Sequence, residues 1–539
     1  MEESEKPIEE RKEKIKRWLK SSDNLLIFGL IGFITLVYLY FFFKIGPQPI
    51  WFDEGDYLSI ARVWGNNMAK PEWWPHFTLI RPLLMPLVWS IFLKFGFSEM
   101  FLRFATLLIP SLFASFVTFK LAESLFNKKV ALIATIAFAL NWVWMFYTFR
   151  ILTDIPSALF GILSLYFFWE FYEKKQKNYG LYLSVAFGIL AFLARYIGGI
   201  ILASIAVYIL ITRRLKVIKQ KELYFSVIVV LLCLSPFFIY NYSHFDKQVF
   251  PALSFYQGSE STAVQRPVYI KALTEHIPNL LGASFNNLGL LLIVFFIIGF
   301  ILILEFVLYA DKLFKGEINS KNNLIFIFVI LVVPFLYLIF GIRTADTRYL
   351  LTNFSILCIV LAYGADFIIS KLQNVLKIRN LSLIILIILS ISMVYWQVSA
   401  SNAFIKNKYG SYGEVKEAGI WLRDNTEIDA KIITASLTQN QYYSERQSYD
   451  FYNSQNKLTN DAGCYSTSLY ELNESCKNIT EIAFNEKIAQ LKPDYLVISV
   501  FEPAYTPIWA YTYPQRYNMT FMKAFGNNNG QPLAIIFKF

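Results

Sequence analysis

Residues 25–43 read LLIFGLIGFITLVYLYFFF, and a short connection leads from them to Trp51-Phe52-Asp53-Glu54-Gly55-Asp56. The first stretch carries no charge and has the length of a membrane span, which needs about 20 apolar residues. The second puts a cluster of carboxylates just past the end of that span, at a membrane face. The rest of the chain repeats the apolar signal: of 539 residues, 56% are hydrophobic, 18% aromatic and only 17% charged. A water-soluble core could not bury so much apolar surface, so the composition is that of a polytopic helical membrane protein. The net charge of +11 does not point to nucleic acid, because Lys and Arg fall between the apolar segments and ahead of the first. Their position sets topology.

The basic stretch at 6–20 precedes the first span, and no small-residue cleavage site follows it, so it reads as an anchor and not a signal peptide. The positive-inside rule places it in the cytoplasm with the basic clusters at 128–129, 174–177, 213–221, 312–321 and 371–379. Each consecutive pair of clusters must then enclose an even number of spans. Between Lys20 and Lys128 lie the apolar segments 25–43, 83–97 and 104–122, so one of them cannot cross. The middle one is shortest and is interrupted by Pro82 and Pro86, which makes it an interfacial or re-entrant helix in a first external loop, 45–100. The run 179–211 is too long for one span and is divided at Arg195 into two. The other spans are expected at 131–149, 151–169, 223–240, 288–309, 324–341, 350–369 and 381–400. The expected fold is a polytopic α-helical membrane protein of about 11 transmembrane helices, amino end inside and carboxyl end outside.

Three regions follow: a cytoplasmic basic amino terminus at 1–24, a transmembrane domain at 25–400, and a soluble extracytoplasmic α/β domain at 401–539. In the last, 415–422 and 479–491 read as helices, and 431–435 and 495–500 as strands. Cys464 and Cys476 lie there in a Gly- and Asn-bearing loop, either as a disulfide of an oxidising compartment or as two free thiols. Cys233 and Cys358 fall within spans. The sequons at Asn473, Asn478 and Asn518 agree with exposure on the outer side.

Charges that topology does not ask for gather at the outer ends of spans: Arg150 with Asp154, then Arg195, then Arg343, Asp346 and Arg348. Each has an ordinary reading, since Arg can snorkel to headgroups and Arg150 can pair with Asp154 one helical turn on. Their convergence favours a different one, in which several guanidiniums grip a phosphate at headgroup depth by bidentate hydrogen bonds. Among the acids, Asp56 suits the N-cap of a helix beginning near Tyr57. Asp53 follows Trp51 and Phe52 in an interfacial aromatic belt, where partial desolvation raises the basicity of a carboxylate. Asp53 is therefore the candidate general base.

The order of these features resembles a known family. A basic amino terminus, a first span, Asp53-Glu54 in a long external loop, Arg81-Pro82-Leu83-Leu84, an ending Lys94-Phe95-Gly96, Arg150 through Asp154, and Arg348-Tyr349-Leu350 look like the C-type polytopic glycosyltransferases that use polyprenyl-phosphate sugars. The likeness is to the protein O-mannosyltransferase and aminoarabinose transferase branch, over about residues 20–400. It implies catalytic acids at Asp53, Glu54 and Asp154, and donor-phosphate binding by Arg195 and Arg348, with Arg81 and Arg150 as further basic positions. The family commonly carries two prolines where this chain has Arg81-Pro82. The implied reaction moves a sugar from a polyprenyl (dolichyl-type) phosphate to an acceptor hydroxyl with inversion. The lipid donor is already activated, so no nucleotide is needed and no cofactor is required. The implied partners are the lipid-linked sugar, an acceptor protein, glycan or lipid, and membrane lipids, but no nucleic acid. The implied setting is a multi-pass protein of the cell membrane with an extracytoplasmic site.

The external loop 241–286, with Arg266 and Tyr269, is long enough to close over a donor as a lid, or to be a plain spacer. His76, His244 and His276 are all external by this topology, which raises a divalent metal with Asp53, Glu54 or Asp154 as oxygen ligands; no ligand spacing supports it, and the metal stays unknown. A single-subunit oligosaccharyltransferase shares the topology and the acids but normally carries Trp-Trp-Asp in its soluble domain, whereas here Trp73-Trp74-Pro75 lies in the first loop. A lipid or solute transporter would hold charges near the middle of spans, whereas Glu305 and Asp366 fall toward inner ends. A non-catalytic membrane adaptor would leave the acids and arginines without a purpose.

Overall fold

The computed structural model describes residues 22–65, 68, 81–214, 219–245, 247–250, 275–282, 287–305, 322–340, 347–378, 380–451, 481–502, 506–527 and 529–539. The basic stretch at 6–20, the cluster at 312–321, His76, Trp73-Trp74-Pro75, Arg266, Tyr269, Arg343, Asp346, Cys464, Cys476, Asn473 and Asn478 lie outside the described residues.

Among the described residues, 7 helices are long and apolar enough to cross a membrane: Ile27–Ile45, Glu99–Leu125, Asp154–Lys174, Tyr196–Arg213, Lys221–His244, Thr347–Leu376 and Ile384–Lys406. Three shorter apolar helices, Asn178–Ala194, Leu288–Ile303 and Asn322–Tyr337, occupy other expected spans. Leu84–Lys94, the segment expected not to cross, is a helix of 11 residues. The chain does turn at Arg195, which adopts an extended conformation between the helix ending at Ala194 and the one following.

One expected span is not continuous. Residues 131–149 fall into two helices, Lys128–Ala139 and Trp142–Thr148, bent by 57°. The cause is local: the Asn141 side chain accepts hydrogen bonds from Val143 N at 2.9 Å and Trp144 N at 3.3 Å, starting a new helix in the middle of the run. The short helix Asn287–Ile303 owes its seat to glycine. A Cβ at Gly299 would lie 2.0 Å from the Val360 carbonyl, and one at Gly364 would lie 2.0 Å from the Phe295 carbonyl, so the two backbones cross where neither has a side chain.

The carboxyl-terminal region carries a five-stranded sheet in the order β2-β1-β3-β5-β4, formed by β1 (Lys431–Thr434), β2 (Gln447–Tyr449), β3 (Tyr495–Ser499), β4 (Thr520–Gly526) and β5 (Pro532–Lys538). β1 runs parallel to β2 and β3, with Ile432 opposite Tyr495, while β5 is antiparallel to both β3 and β4. Alternation along β3 divides the core: Leu496 and Ile498 pack with Phe484 of the helix Glu481–Leu491, whereas Tyr495 and Val497 pack with Ala418 and Leu422 of the helix Gly413–Asn425. Helices therefore cover both faces. The sequence reading found these two helices and the β1 and β3 strands, and missed β2, β4, β5 and the helix Leu437–Ser444.

Leu437–Ser444 joins the two parts of the molecule. Every residue of this polar helix is buried. Asn440 Nδ2 donates to Ser448 Oγ at 3.0 Å and Gln441 Oε1 accepts from Ser448 N at 2.8 Å, tying it to β2. Toward the membrane helices, Tyr443 Oη accepts from Ile50 N at 3.0 Å, Arg62 stacks 4.2 Å over the Tyr442 ring, and Arg62 pairs with Glu445.

Candidate active site

The acid cluster is not a loop capped at Asp56. The helix begins earlier, at Phe52, and runs to Trp64 with Trp51 as its N-cap. Glu54 reaches back to accept from Trp51 N at 2.6 Å, which satisfies one of the amide groups that a helix start leaves open. Asp56 is thus an interior helical residue, fully buried. At 100° per residue, Asp53 and Asp56 share one face while Glu54 points elsewhere.

Glu54 is the centre of a buried anchor. Its Oε1 accepts from Ile151 N at 2.6 Å, and Arg150 Nη1 stands 3.3 Å from its Oε2. Arg103 Nη2 is 3.9 Å from Oε1, and the same guanidinium donates to the carbonyls of Gly46, Gln48 and Phe149 at 2.9, 3.0 and 3.2 Å. Arg150 also lies 3.7 Å over the Trp51 ring and donates to Pro49 O. Its exposure is 1%. The partner of Arg150 is Glu54 and not, as the spacing suggested, Asp154, because the chain breaks between Arg150 and the helix starting at Asp154. Arg103 was missed in the sequence, although an arginine inside an apolar segment is a usable signal.

Asp53 and Asp56 face a separate group of cations. Arg81 Nη2 donates to Asp53 Oδ1 at 2.7 Å and to Asp56 Oδ2 at 2.5 Å, while its Nε reaches the same Asp56 oxygen at 3.1 Å. Arg348 Nη1 takes the other Asp53 oxygen at 2.7 Å. Arg195 Nη1 pairs with Asp154 Oδ2 at 2.6 Å. Tyr349 links the two arginine groups: its ring lies 5.3 Å from the Arg195 guanidinium and 5.8 Å from that of Arg348. The elements explain the convergence. Asp154, Arg195 and Arg348 sit where helices begin or break, and those ends meet beside the acid-bearing helix.

The carboxyl-terminal part closes this site from the far side. A Cβ at Gly55 would lie 2.7 Å from Thr438 Oγ1, so the acid-bearing helix and Leu437–Ser444 touch through a residue that has no side chain. The Thr438 hydroxyl lies beside the Asp56 carboxyl. Nothing in the apolar pattern of residues 437–444 marked Thr438 as part of the site.

Electrostatics separate the two aspartates. Burial by itself would raise the Asp53 carboxyl, but the guanidiniums of Arg81 and Arg348 outweigh it and hold the group well below the usual carboxylate range. Burial dominates at Asp56: against the pull of Arg81, and helped by the charge of Asp53, it is pushed up to about 7. Asp53 keeps 23% of its side chain exposed and Asp56 none, so only Asp53 can meet a substrate directly.

Neither of the two described histidines joins the acids. His276 Nδ1 lies 3.0 Å from Thr347 Oγ1, and His244 stacks on Tyr240. Among the described residues, no group of three or more His, Cys, Asp or Glu is arranged to hold a metal ion.

Known proteins share both sequence and shape with this chain. Residues 80–240 match the family model described as dolichyl-phosphate-mannose-protein mannosyltransferase. An uncharacterized protein of Aquifex aeolicus (strain VF5) is 25% identical over 365 residues, which is 66% of this chain and 66% of that one, so the chain spans just under two thirds of the relative's length. ArnT from Cupriavidus metallidurans bound to undecaprenyl phosphate superposes with a TM-score of 0.60 at 11% identity, covering 96% of this chain and 98% of ArnT. The Archaeoglobus fulgidus oligosaccharyltransferase, tethered to an acceptor peptide containing the NVT sequon, gives 0.57 at 14% identity over 90% of this chain and 70% of that one. The chain therefore has the fold of these membrane transferases, and the resemblance to polyprenyl-phosphate-dependent glycosyltransferases read from its sequence is found again in the comparisons.

Proposed function

We propose that this protein is a membrane glycosyltransferase that moves a sugar from a polyprenyl-phosphate donor to an acceptor hydroxyl on the extracytoplasmic face, with inversion. The observation that carries the reading is Asp53 held between Arg81 and Arg348, beside the Asp154–Arg195 pair. Such a cluster has cations for a phosphate and a carboxylate for a proton, and it lies where span ends meet. The reading keeps about eleven crossings, with residues 1–24 inside and 401–539 outside.

Paired with two guanidiniums, Asp53 is a weak base. A donor phosphate that draws Arg348 and Arg81 toward itself removes that restraint, so Asp53 gains basicity only when a donor is present. Asp53 then takes the proton of the acceptor hydroxyl as its oxygen bonds to the anomeric carbon. The bond from that carbon to the phosphate oxygen breaks on the opposite face, and the prenyl phosphate leaves with the electron pair. Arg348, Arg81 and Arg195 stabilise the charge that collects there. Glu54, Arg103 and Arg150 hold the helix in place and do not touch the reacting atoms.

The shared fold equally supports a second reading, transfer to an Asn amide as in an oligosaccharyltransferase. One assay separates them. The full chain in lipid nanodiscs is given labelled polyprenyl-phosphate sugars and a membrane-protein fraction as acceptor. Release of prenyl phosphate with label that alkaline β-elimination removes supports the hydroxyl reading. Label released only by a peptide-Asn amidase supports the second, and no release of prenyl phosphate overturns both.

A further inference from the structure

Asp56 is a buried carboxyl that the reaction above does not use. It lies one helical turn from Asp53, has no exposed surface, and shares Arg81 with Asp53 through a single nitrogen. Among the described residues, the charged or titratable groups that face it are few. On its own helix these are Asp53 and Tyr57, whose ring lies 5.3 Å from the Arg81 guanidinium; from the segment before Pro82 there is Arg81 itself; from the carboxyl-terminal part the neighbour is the uncharged hydroxyl of Thr438. Arg348 stands on the far oxygen of Asp53.

We propose that Asp56 is a positioning residue for the donor site: it holds Arg81 until a donor binds and then yields it to the donor phosphate by taking up a proton from water. The proposal rests on the donor-phosphate reading above. A phosphodiester presents a guanidinium with a better match than a single carboxylate oxygen, and Arg81 keeps 22% of its side chain exposed, so a ligand can reach it. When Arg81 turns away, Asp56 is left without its counter-charge in a place that water does not enter. A lone buried carboxylate is strongly disfavoured, and protonation removes the charge.

Thr438 is suited to both states. A hydroxyl can donate to a carboxylate and accept from a carboxylic acid, so a neighbour of this kind suits Asp56 before and after the proton arrives. Asp53 behaves differently because it is partly exposed; water supports its charge when the guanidiniums move, leaving it ionised and ready for the acceptor. With Arg81 beside it, the carboxyl of Asp56 already stands near 7. Loss of Arg81 moves it higher. Below pH about 7 Asp56 is protonated before the donor arrives and binding needs no proton; above it, each binding event takes one up. Donor affinity is then flat in acid and falls as pH rises, by as much as about tenfold per pH unit.

The test uses the full-length chain in lipid nanodiscs and the methyl diester of undecaprenyl phosphate, a probe with one fixed negative charge across the range. Titration calorimetry from pH 6 to 9, in buffers of different ionisation heat, reads affinity and proton uptake together. The expected result is a dissociation constant that is level below pH 7 and climbs above it, with uptake approaching one proton per site. Asp56→Asn should bind with a level profile and no uptake, while Asp56→Glu should keep a slope. A level wild-type profile overturns the proposal while leaving the donor reading intact, and a slope that survives in Asp56→Asn overturns it too. Absence of binding by the wild type at every pH overturns both. If Asp56→Asn does not fold, the proton count of the wild type decides alone.

Discussion

Asp53 and Arg348 are 295 residues apart in sequence, and an Oδ2 to Nη1 hydrogen bond of 2.7 Å joins them. Neither is fully buried, so the contact is one that a ligand can open. If Arg348 serves the donor phosphate, Arg348→Ala loses a charge-assisted hydrogen bond of about 1.5–3 kcal/mol, or roughly 10- to 150-fold in affinity for a polyprenyl phosphate. Binding to the purified variant checks this. An unchanged affinity removes Arg348 from the phosphate site.

Asp53→Asn keeps the size and hydrogen bonding of the side chain but cannot take a proton. Sugar transfer should fall by about 10²–10⁴-fold, the usual contribution of a positioned base, while polyprenyl phosphate still binds. Affinity should even improve, since the carboxylate no longer competes for Arg81 and Arg348. Turnover near that of the wild type would take the proton-acceptor role away from Asp53.

Glu54 behaves as a fold residue in this account. Glu54→Gln leaves Arg150 buried without its anion and Arg103 with Glu99 alone, at 3.7 Å, a loss of about 3–5 kcal/mol for a buried pair broken on one side. Thermal unfolding of the full chain in detergent should show a marked drop. A variant that unfolds like the wild type but transfers no sugar would make Glu54 part of the chemistry instead.

Gly55→Val tests the contact between the acid-bearing helix and the carboxyl-terminal part. A Cβ there meets Thr438 Oγ1 at 2.7 Å, the Thr438 carbonyl carbon at 2.8 Å and Gln439 N at 3.0 Å, and two of these are backbone atoms that cannot turn aside. The expected outcome is faster proteolysis after residue 408, together with loss of transfer. Wild-type protease resistance with full activity would show that the close approach is not needed.

The apolar periodicity of the sequence carried most of the helical plan, because a span must satisfy its own backbone and so writes a long uninterrupted signal. The break at Asn141 was less visible, since one amide in an apolar run ends a helix only if its side chain caps the next. Arg348 and Arg195 stood out because topology gave them no reason to be where they are, and Asp53 because it follows Trp51 and Phe52 in an interfacial aromatic belt. The opposite fate of Glu54 could not be read, as its partners Arg103, Arg150 and Ile151 come from other elements. The helix Leu437–Ser444 was invisible for the same reason: its polar side chains are buried only through contacts that folding creates.

The most direct test of the central claim is a cryo-electron microscopy structure of the full chain in a lipid nanodisc with a polyprenyl phosphate bound. The account predicts phosphate density against Arg348 and Arg81, with the Arg81–Asp56 and Arg348–Asp53 contacts opened. Phosphate bound elsewhere, with Asp53 still bridged by both guanidiniums, would contradict it.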